Sequence, residues 1–296
     1  MSRRAPFRIT HVSDLHLTSR DDASRSEPRL FGRLEGMNRS FRALLQDAGV
    51  RRSDLLLVTG DVTDTGDVDA WRVFWEAVSD AGLRRRCLVV PGNHDVCNLG
   101  VRPPSRRRKR VQGDLQRARQ GLSLGNQPVD FPWVRQVAPD TAIFGLDSCN
   151  PGNLSGLTNA VGEVGYEQLE RLARLLHRHR DAAVKIVALH HSPNIPHTRT
   201  ARRRGVQTMS KAMRWGHEVP AFDRRALRLL CISHKVRLIV HGHLHRPEDR
   251  RVNGIRIVGC PASTQPTEGD RYPFYRYSVA ANGRVSVSLQ EVALSP

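Results

Sequence analysis

Short apolar runs rich in Val, Ile and Leu recur along this 296-residue chain, and stretches with helical spacing separate them. Runs of four to six residues are too short for helices, so strands alternating with helices are expected, which leads to a layered α/β arrangement. The runs are Phe7–Val12, Leu55–Thr59, Cys87–Val90, 141–146, 184–189 and Leu238–His241. Helices are expected over 37–48, 67–81, Tyr166–Arg178 and 223–234, with Asp67 and Asp223 as N-caps. In the third of these, Leu169, Leu172, Ala173, Leu175 and Leu176 form one apolar stripe for the core. Asn253-Gly254 and Asn282-Gly283 each stand between alternating apolar residues, a tight-hairpin signal, so the C-terminal part is expected to be antiparallel β. Two segments break the pattern: 98–128 with RPPSRRRKR, and 192–220 with RTARRRG. Both read as surface insertions on a single domain spanning 1–296.

The informative residues stand where the expected strands end, the place where loops converge in open α/β sheets. SDLH carries Asp14 and His16, TGD carries Asp61, and PGNHD carries Asn93, His94 and Asp95. LHHS carries His190 and His191, and HGHLH carries His241, His243 and His245. One such residue alone is ordinary strand-end chemistry. Five junctions that each offer carboxylate, amide oxygen or imidazole supply what divalent Mn, Fe or Zn requires. In D-x-H and H-x-H, strand alternation puts both side chains on one side of the backbone as a chelating pair. Gly60, Gly92 and Gly242 flank candidate ligands, where a missing Cβ lets the backbone turn sharply. Neither a P-loop nor a strand-linked GxGxxG is present, so these glycines do not read as a nucleotide-binding loop.

In this order the motifs D-x-H, G-D, G-N-H-D, H and G-H-x-H resemble the calcineurin-like metallophosphoesterase superfamily, over Asp14 to His245. The resemblance implies a four-layer α/β/β/α sandwich of two mixed β-sheets flanked by helices. It also implies two divalent metal ions, one held by Asp14, His16 and His245, the other by Asn93, His190 and His243, with Asp61 bridging. In LHHS either histidine is a candidate: the family's first-His pattern favours His190, whereas the Ser-Pro that follows resembles a single-His variant. His94 would stabilise the transition state or protonate the leaving alkoxide, and Asp95 would orient it, unless Asp95 is a cap or turn residue. Asp64 is open between support of a ligand and turn chemistry, and His241 between a structural role and contact with a ligand. Attack would come from a hydroxide shared by two ions, with no covalent intermediate. SDLHL, GNHD and the double His resemble the cyclic-nucleotide phosphodiesterase branch most, implying a small phosphodiester as substrate. That branch follows its double His with Pro-Pro, where this chain has Ser192 and Pro193.

Charge widens the set of substrates. The formal net charge is +18, and Lys109, Lys185, Lys211 and Lys235 are the lysines among 47 cationic side chains, the rest being arginine. A nucleic acid or an anionic membrane surface is permitted as a partner but not required, because an arginine bias also arises from GC-rich coding. A hydrolase of nucleotide-sugar lipids or phospholipids, or a nuclease, is therefore the rival enzyme reading, resting on RLFGRLEGMNRSFR and the arginine-rich segments. A non-catalytic scaffold is the rival of another class; such a chain would be expected to lose ligands, and here the set is complete. Five scattered cysteines without CxxC spacing, Cys97 among them, argue for buried thiols and against a disulfide framework or zinc ribbon. With no apolar run of 18 residues and no apolar leader, a soluble cytoplasmic protein is expected.

Overall fold

Two mixed β-sheets form the middle of the computed structural model, which describes residues 5–25, 34–96, 116–150, 160–195 and 209–293. The first sheet contains β1 (Phe7–Val12), β2 (Leu55–Thr59), β3 (Cys87–Val90), β10 (Arg271–Val279) and β11 (Val285–Ala293), in the order β11-β10-β1-β2-β3. Strands β1, β2 and β3 run parallel, and β10 and β11 extend the sheet antiparallel. The second contains β4 (Trp133–Ala138), β5 (Thr141–Gly145), β6 (Val184–Ala188), β7 (Leu238–His241), β8 (Glu248–Val252) and β9 (Ile255–Gly259). Its order is β4-β5-β6-β7-β9-β8, with β5, β6, β7 and β9 parallel and an antiparallel strand at either edge.

Strand alternation builds the layers. Leu55 and Leu57 of β2 join Ile9, Ile186 and Val240 between the two sheets, while Leu56 and Val58 turn to the opposite face. There they meet Phe41 of helix α1 (Met37–Gln46) and Trp71 and Phe74 of α2 (Val68–Asp80). On the far side, Val187 and Ile239 pack against Leu172 and Leu176 of α3 (Tyr166–Arg178) and Leu227 of α4 (Ala221–Ser233). Each large side chain so buried contributes about 1.5–3 kcal/mol. The order helix, sheet, sheet, helix is the expected four-layer α/β/β/α sandwich. Strands buried on both faces explain why the central runs read as continuous rather than alternating apolar residues.

Local chemistry sets the element ends. Asp67 caps α2 by accepting from Asp69 N at 3.1 Å. Helix α1 stops at Gln46, short of the expected 48, because the Asp47 side chain accepts from Gly49 N and Val50 N and starts a separate turn, Ala48–Arg51. Asp223 is not an N-cap: α4 begins at Ala221, and Asp223 Oδ2 accepts from Val164 N and Gly165 N, tying α4 to the start of α3. Asn253 and Gly254, both at positive φ, form the two-residue turn between β8 and β9. The second Asn-Gly lies in a five-residue loop, since Val279 pairs with Val285 and Ala280 N bonds Arg284 O. The C-terminal part is also not wholly antiparallel, because β9 runs parallel to β7.

Part of each expected insertion belongs to the packed body. A helix over 116–124 places Leu122 in the core, and Gly121 O accepts from Trp75 Nε1 at 2.8 Å. Val219 lies buried against the α3–α4 side. The arginine-rich runs of both segments and Cys97 lie outside the described residues, whereas Cys87, Cys149, Cys231 and Cys260 are free and buried. No helix among the described residues is long and apolar enough to cross a membrane.

Candidate metal centre

The parallel strands β1, β2 and β3 of one sheet and β6 and β7 of the other end at the same rim, so their loops meet. Leu15 N and His16 N both bond Asp61 O, at 2.8 and 2.9 Å, and Gly242 N bonds His190 O at 3.0 Å. His243 N reaches across between the sheets to both carboxylate oxygens of Asp14, at 3.1 and 3.0 Å. Gly92 and Gly242 permit this crowding: a Cβ on Gly92 would strike Asp61, and one on Gly242 would strike Ser13 and Asp14.

The backbone itself is strained at the site. Asp14, His16, Asp61, His243 and His245 all have φ between 47° and 70°, the left-handed region, which costs of order 1–3 kcal/mol per non-glycine residue. These five are among the seven expected metal ligands. Outliers concentrated in this way mark a constellation held in place by the surrounding structure for a purpose other than stability.

Two clusters result, with Asp61 reaching both. Asp14, His16, Asp61 and His245 each bring one ligand atom within 4.8 Å of the others. His245 Nε2 lies 3.3 Å from Asp14 Oδ1 and 3.3 Å from His16 Nε2, which is 3.8 Å from Asp61 Oδ2. On the other side, His190 Nε2 lies 3.3 Å from the same Asp61 Oδ2 and 3.1 Å from Asn93 Oδ1. His190, His191 and His243 form the adjoining group.

The donor chemistry fits divalent ions. His190 Nδ1 donates to Thr59 O at 2.7 Å, so Nε2 is the nitrogen that faces two oxygen acceptors. Lone pairs that converge on one point need a cation between them. His243 Nε2 is likewise buried without a hydrogen-bond partner among the described residues. Burial, with His191 and His190 close by, holds His243 well below the usual histidine range, so it is neutral, as a ligand must be. Burial, with Arg25 beside it, lowers His16 to about 3. Burial works to raise Asp61, but His190, His94 and His16 around it outweigh that and hold the carboxyl well below its ordinary value. For His190, burial is outweighed by the Asp61 carboxylate, which raises the ring to about 9, so without an ion a proton occupies Nε2 and a bound metal would displace it.

Of the two roles open for Asp95, its hydrogen bonds match the turn residue. Its carboxylate accepts from Val62 N, Thr63 N, Thr63 Oγ1 and Gly92 N, at 2.9 to 3.2 Å, so it ties the β2 loop to the β3 loop. His94 is oriented instead by the Asp64 carbonyl, 2.9 Å from Nδ1, and its N–H donates to Asp61 Oδ1 at 2.8 Å. Burial and the Asp61 charge push Asp95 up to about 6. The Asp64 carboxylate stands 3.5 Å from His16 Nδ1, a support for a ligand rather than a turn device. His241 sits in β7 against Gly259, with Nδ1 donating to Gly242 O and Nε2 3.7 Å from Glu248.

Residues 7–247 match the family described as calcineurin-like phosphoesterase. The chain belongs to that family. Family membership makes it a metal-dependent phosphoesterase, of a group that uses a dinuclear divalent centre. A 3',5'-cyclic adenosine monophosphate phosphodiesterase of Pseudomonas aeruginosa is 25% identical over 260 residues, 86% of this chain and 75% of that one. A probable cyclic nucleotide phosphodiesterase of Vesicomyosocius okutanii is 23% identical over 239 residues, 80% of this chain and 82% of that one. Among solved structures, a dimetal phosphatase from Danio rerio superposes with a TM-score of 0.64 at 15% identity, covering 99% of this chain and all of the other. That likeness concerns the phosphoesterase fold.

Three residues at this phosphoesterase site were not sequence candidates. Asn38, on α1, bonds both backbone groups of Thr18 and so anchors the loop that carries Asp14 and His16. Arg25 lies buried 2.9 Å from His16 Nε2, and Ser148 contacts both His190 and His191. Their signals were weak in the sequence because polar residues in loops are common, and only the fold brings these to the rim.

Proposed function

We propose that this phosphoesterase hydrolyses a small phosphodiester, such as a cyclic nucleotide, at a two-metal site. The observation that carries the reading is Asp61 Oδ2, which lies within 3.8 Å of His16 in one ligand cluster and 3.3 Å of His190 in the other. Asp14, His16, Asp61 and His245 would hold one ion, and Asp61, Asn93, His190 and His243 the second. Two divalent ions there, Mn, Fe or Zn by ligand type, would lower the pKa of a shared water and neutralise charge growing on the phosphoryl oxygens. His94 supplies the acid chemistry. Because its Nδ1 proton is held by the Asp64 carbonyl, Nε2 is the nitrogen that takes up and releases a proton at the leaving oxygen. The cyclic-nucleotide activity named for the two relatives supports a diester over a monoester substrate.

The test is hydrolysis of bis(p-nitrophenyl) phosphate against p-nitrophenyl phosphate by chelator-stripped protein with and without manganese. Manganese-dependent turnover that favours the diester is expected. Equal or better turnover of the monoester would overturn the diester reading, and turnover indifferent to chelation would overturn the metal centre.

A further inference from the structure

Ser148, just beyond β5, meets three nitrogens with one hydroxyl. Its Oγ lies 3.2 Å from His190 N, 3.0 Å from His191 N and 2.9 Å from His191 Nδ1. A hydroxyl offers two acceptor lone pairs and one proton. Backbone amides can only donate, so they occupy both lone pairs, and the hydroxyl proton is left for Nδ1 of His191. Neutral His191 therefore carries its own proton on Nε2, and a nitrogen that carries a proton has no lone pair for a metal. His190 is the opposite tautomer, with Nδ1 donating to Thr59 O and Nε2 open to Asp61 and Asn93. Two consecutive histidines thus present a ligand and a hydrogen-bond donor to the same place.

The donor has no acceptor among the described residues. Nε2 of His191 is buried, without a hydrogen-bond partner among the described residues. His191 brings a ring nitrogen within 4.8 Å of ligand nitrogens of His190 and His243, and its ring packs 4.4 Å from that of His243, centre to centre. Gly162 presses on the other side, where a Cβ would stand 2.5 Å from His191 Cγ. The ring is clamped and its free N–H is kept dry beside a site built to receive a phosphate. An anionic oxygen is the strongest acceptor such a donor can meet.

We propose that His191 donates its Nε2–H to a phosphoryl oxygen of the substrate at the position formed by Asn93, His190 and His243, with Ser148 as the positioning residue that holds the donor tautomer. This rests on the two-metal reading above. It assigns the double His two different tasks, and it needs only a phosphate group, whatever ester carries it.

The test reads inorganic phosphate binding to manganese-loaded protein by calorimetry, beside metal content per chain. His191→Leu is expected to keep two ions and to bind phosphate roughly 10- to 100-fold more weakly, as for loss of a hydrogen bond to a charged group. His191→Gln, whose amide reaches the Nε2 position, should recover most of that loss, and His191→Asn, which reaches only Nδ1, should not. In Ser148→Ala, nitrogen NMR of the His191 ring should show a mixture of tautomers in place of the Nε2–H form. Loss of one ion in His191→Leu would make His191 a ligand and overturn the proposal. Equal phosphate affinity in the Leu, Asn and Gln variants would overturn it too, leaving packing as the role. Should the Leu variant fail to fold, the Gln and Asn pair decides alone. Wild-type protein that holds fewer than two ions would sink the two-metal reading itself, an outcome seen before any variant is compared.

Discussion

The two sheets contribute differently to the metal centre. The first supplies Asp14, Asp61 and Asn93, with His16 as its one expected imidazole ligand, and the second supplies only His190, His243 and His245. Carboxylate is thus confined to one side, and most of the imidazole lies on the other. The difference follows from position: Asp61 stands at the end of the central parallel strand β2, between β1 and β3, where one carboxylate can serve both clusters. The loops after β6 and β7 close over it from the facing sheet, and each of their three imidazoles serves one cluster. Removing the Asp61 carboxylate from the first sheet should therefore empty the whole centre, whereas removing an imidazole from the second should empty half of it.

The largest effect should come from Asp61→Ala, with both ions lost and turnover down about a thousandfold or more, the scale of several kcal/mol of charge stabilisation. Metal content by mass spectrometry checks it, and two ions retained would break the contrast between the sheets. His94→Ala should keep both ions and lose roughly 10²- to 10⁴-fold in turnover, which separates proton transfer from metal binding. His243→Ala and His245→Ala should each leave about one ion per chain, and an empty centre in either would show that the second sheet is as decisive as the first. Asp95→Ala should lower stability by about 1–3 kcal/mol, because buried donors on both the β2 and β3 loops lose their acceptor, while the folded fraction still binds two ions. Denaturant titration with metal analysis distinguishes this from a catalytic role. Asp67→Ala, which removes a cap and no candidate ligand, should cost about 1 kcal/mol of stability and leave turnover per folded molecule unchanged.

Much of this was legible without coordinates. The buried strands β1, β2, β3, β5, β6 and β7 announce themselves because burial on both faces demands unbroken apolar runs. Strand β4 escaped notice because it is an edge strand, mostly half-buried or exposed, whose WVRQVA has neither a continuous apolar run nor clean alternation. The candidate ligands are legible because each follows an apolar run, and D-x-H and H-x-H each hold two of them two positions apart. Asp223 was read as a cap because an acidic residue before an apolar helix has that local signature, yet its acceptors serve amides 58 and 59 residues earlier. Asp95 stays open in the sequence between orienting His94 and a turn role, since three of its four donors lie on another loop.

Sequence by itself therefore determined which side chains this protein can bring to the rim: two carboxylates and an amide after β1, β2 and β3, and imidazoles after β1, β6 and β7. It did so because chelating pairs and strand ends are local properties of the chain. Tertiary structure alone decided what each of those side chains does. A carboxylate becomes a bridge or a brace, and a histidine a ligand or a donor, according to which polar groups surround it. Those groups arrive from elsewhere in the chain, as Ser148 does from 43 residues before His191.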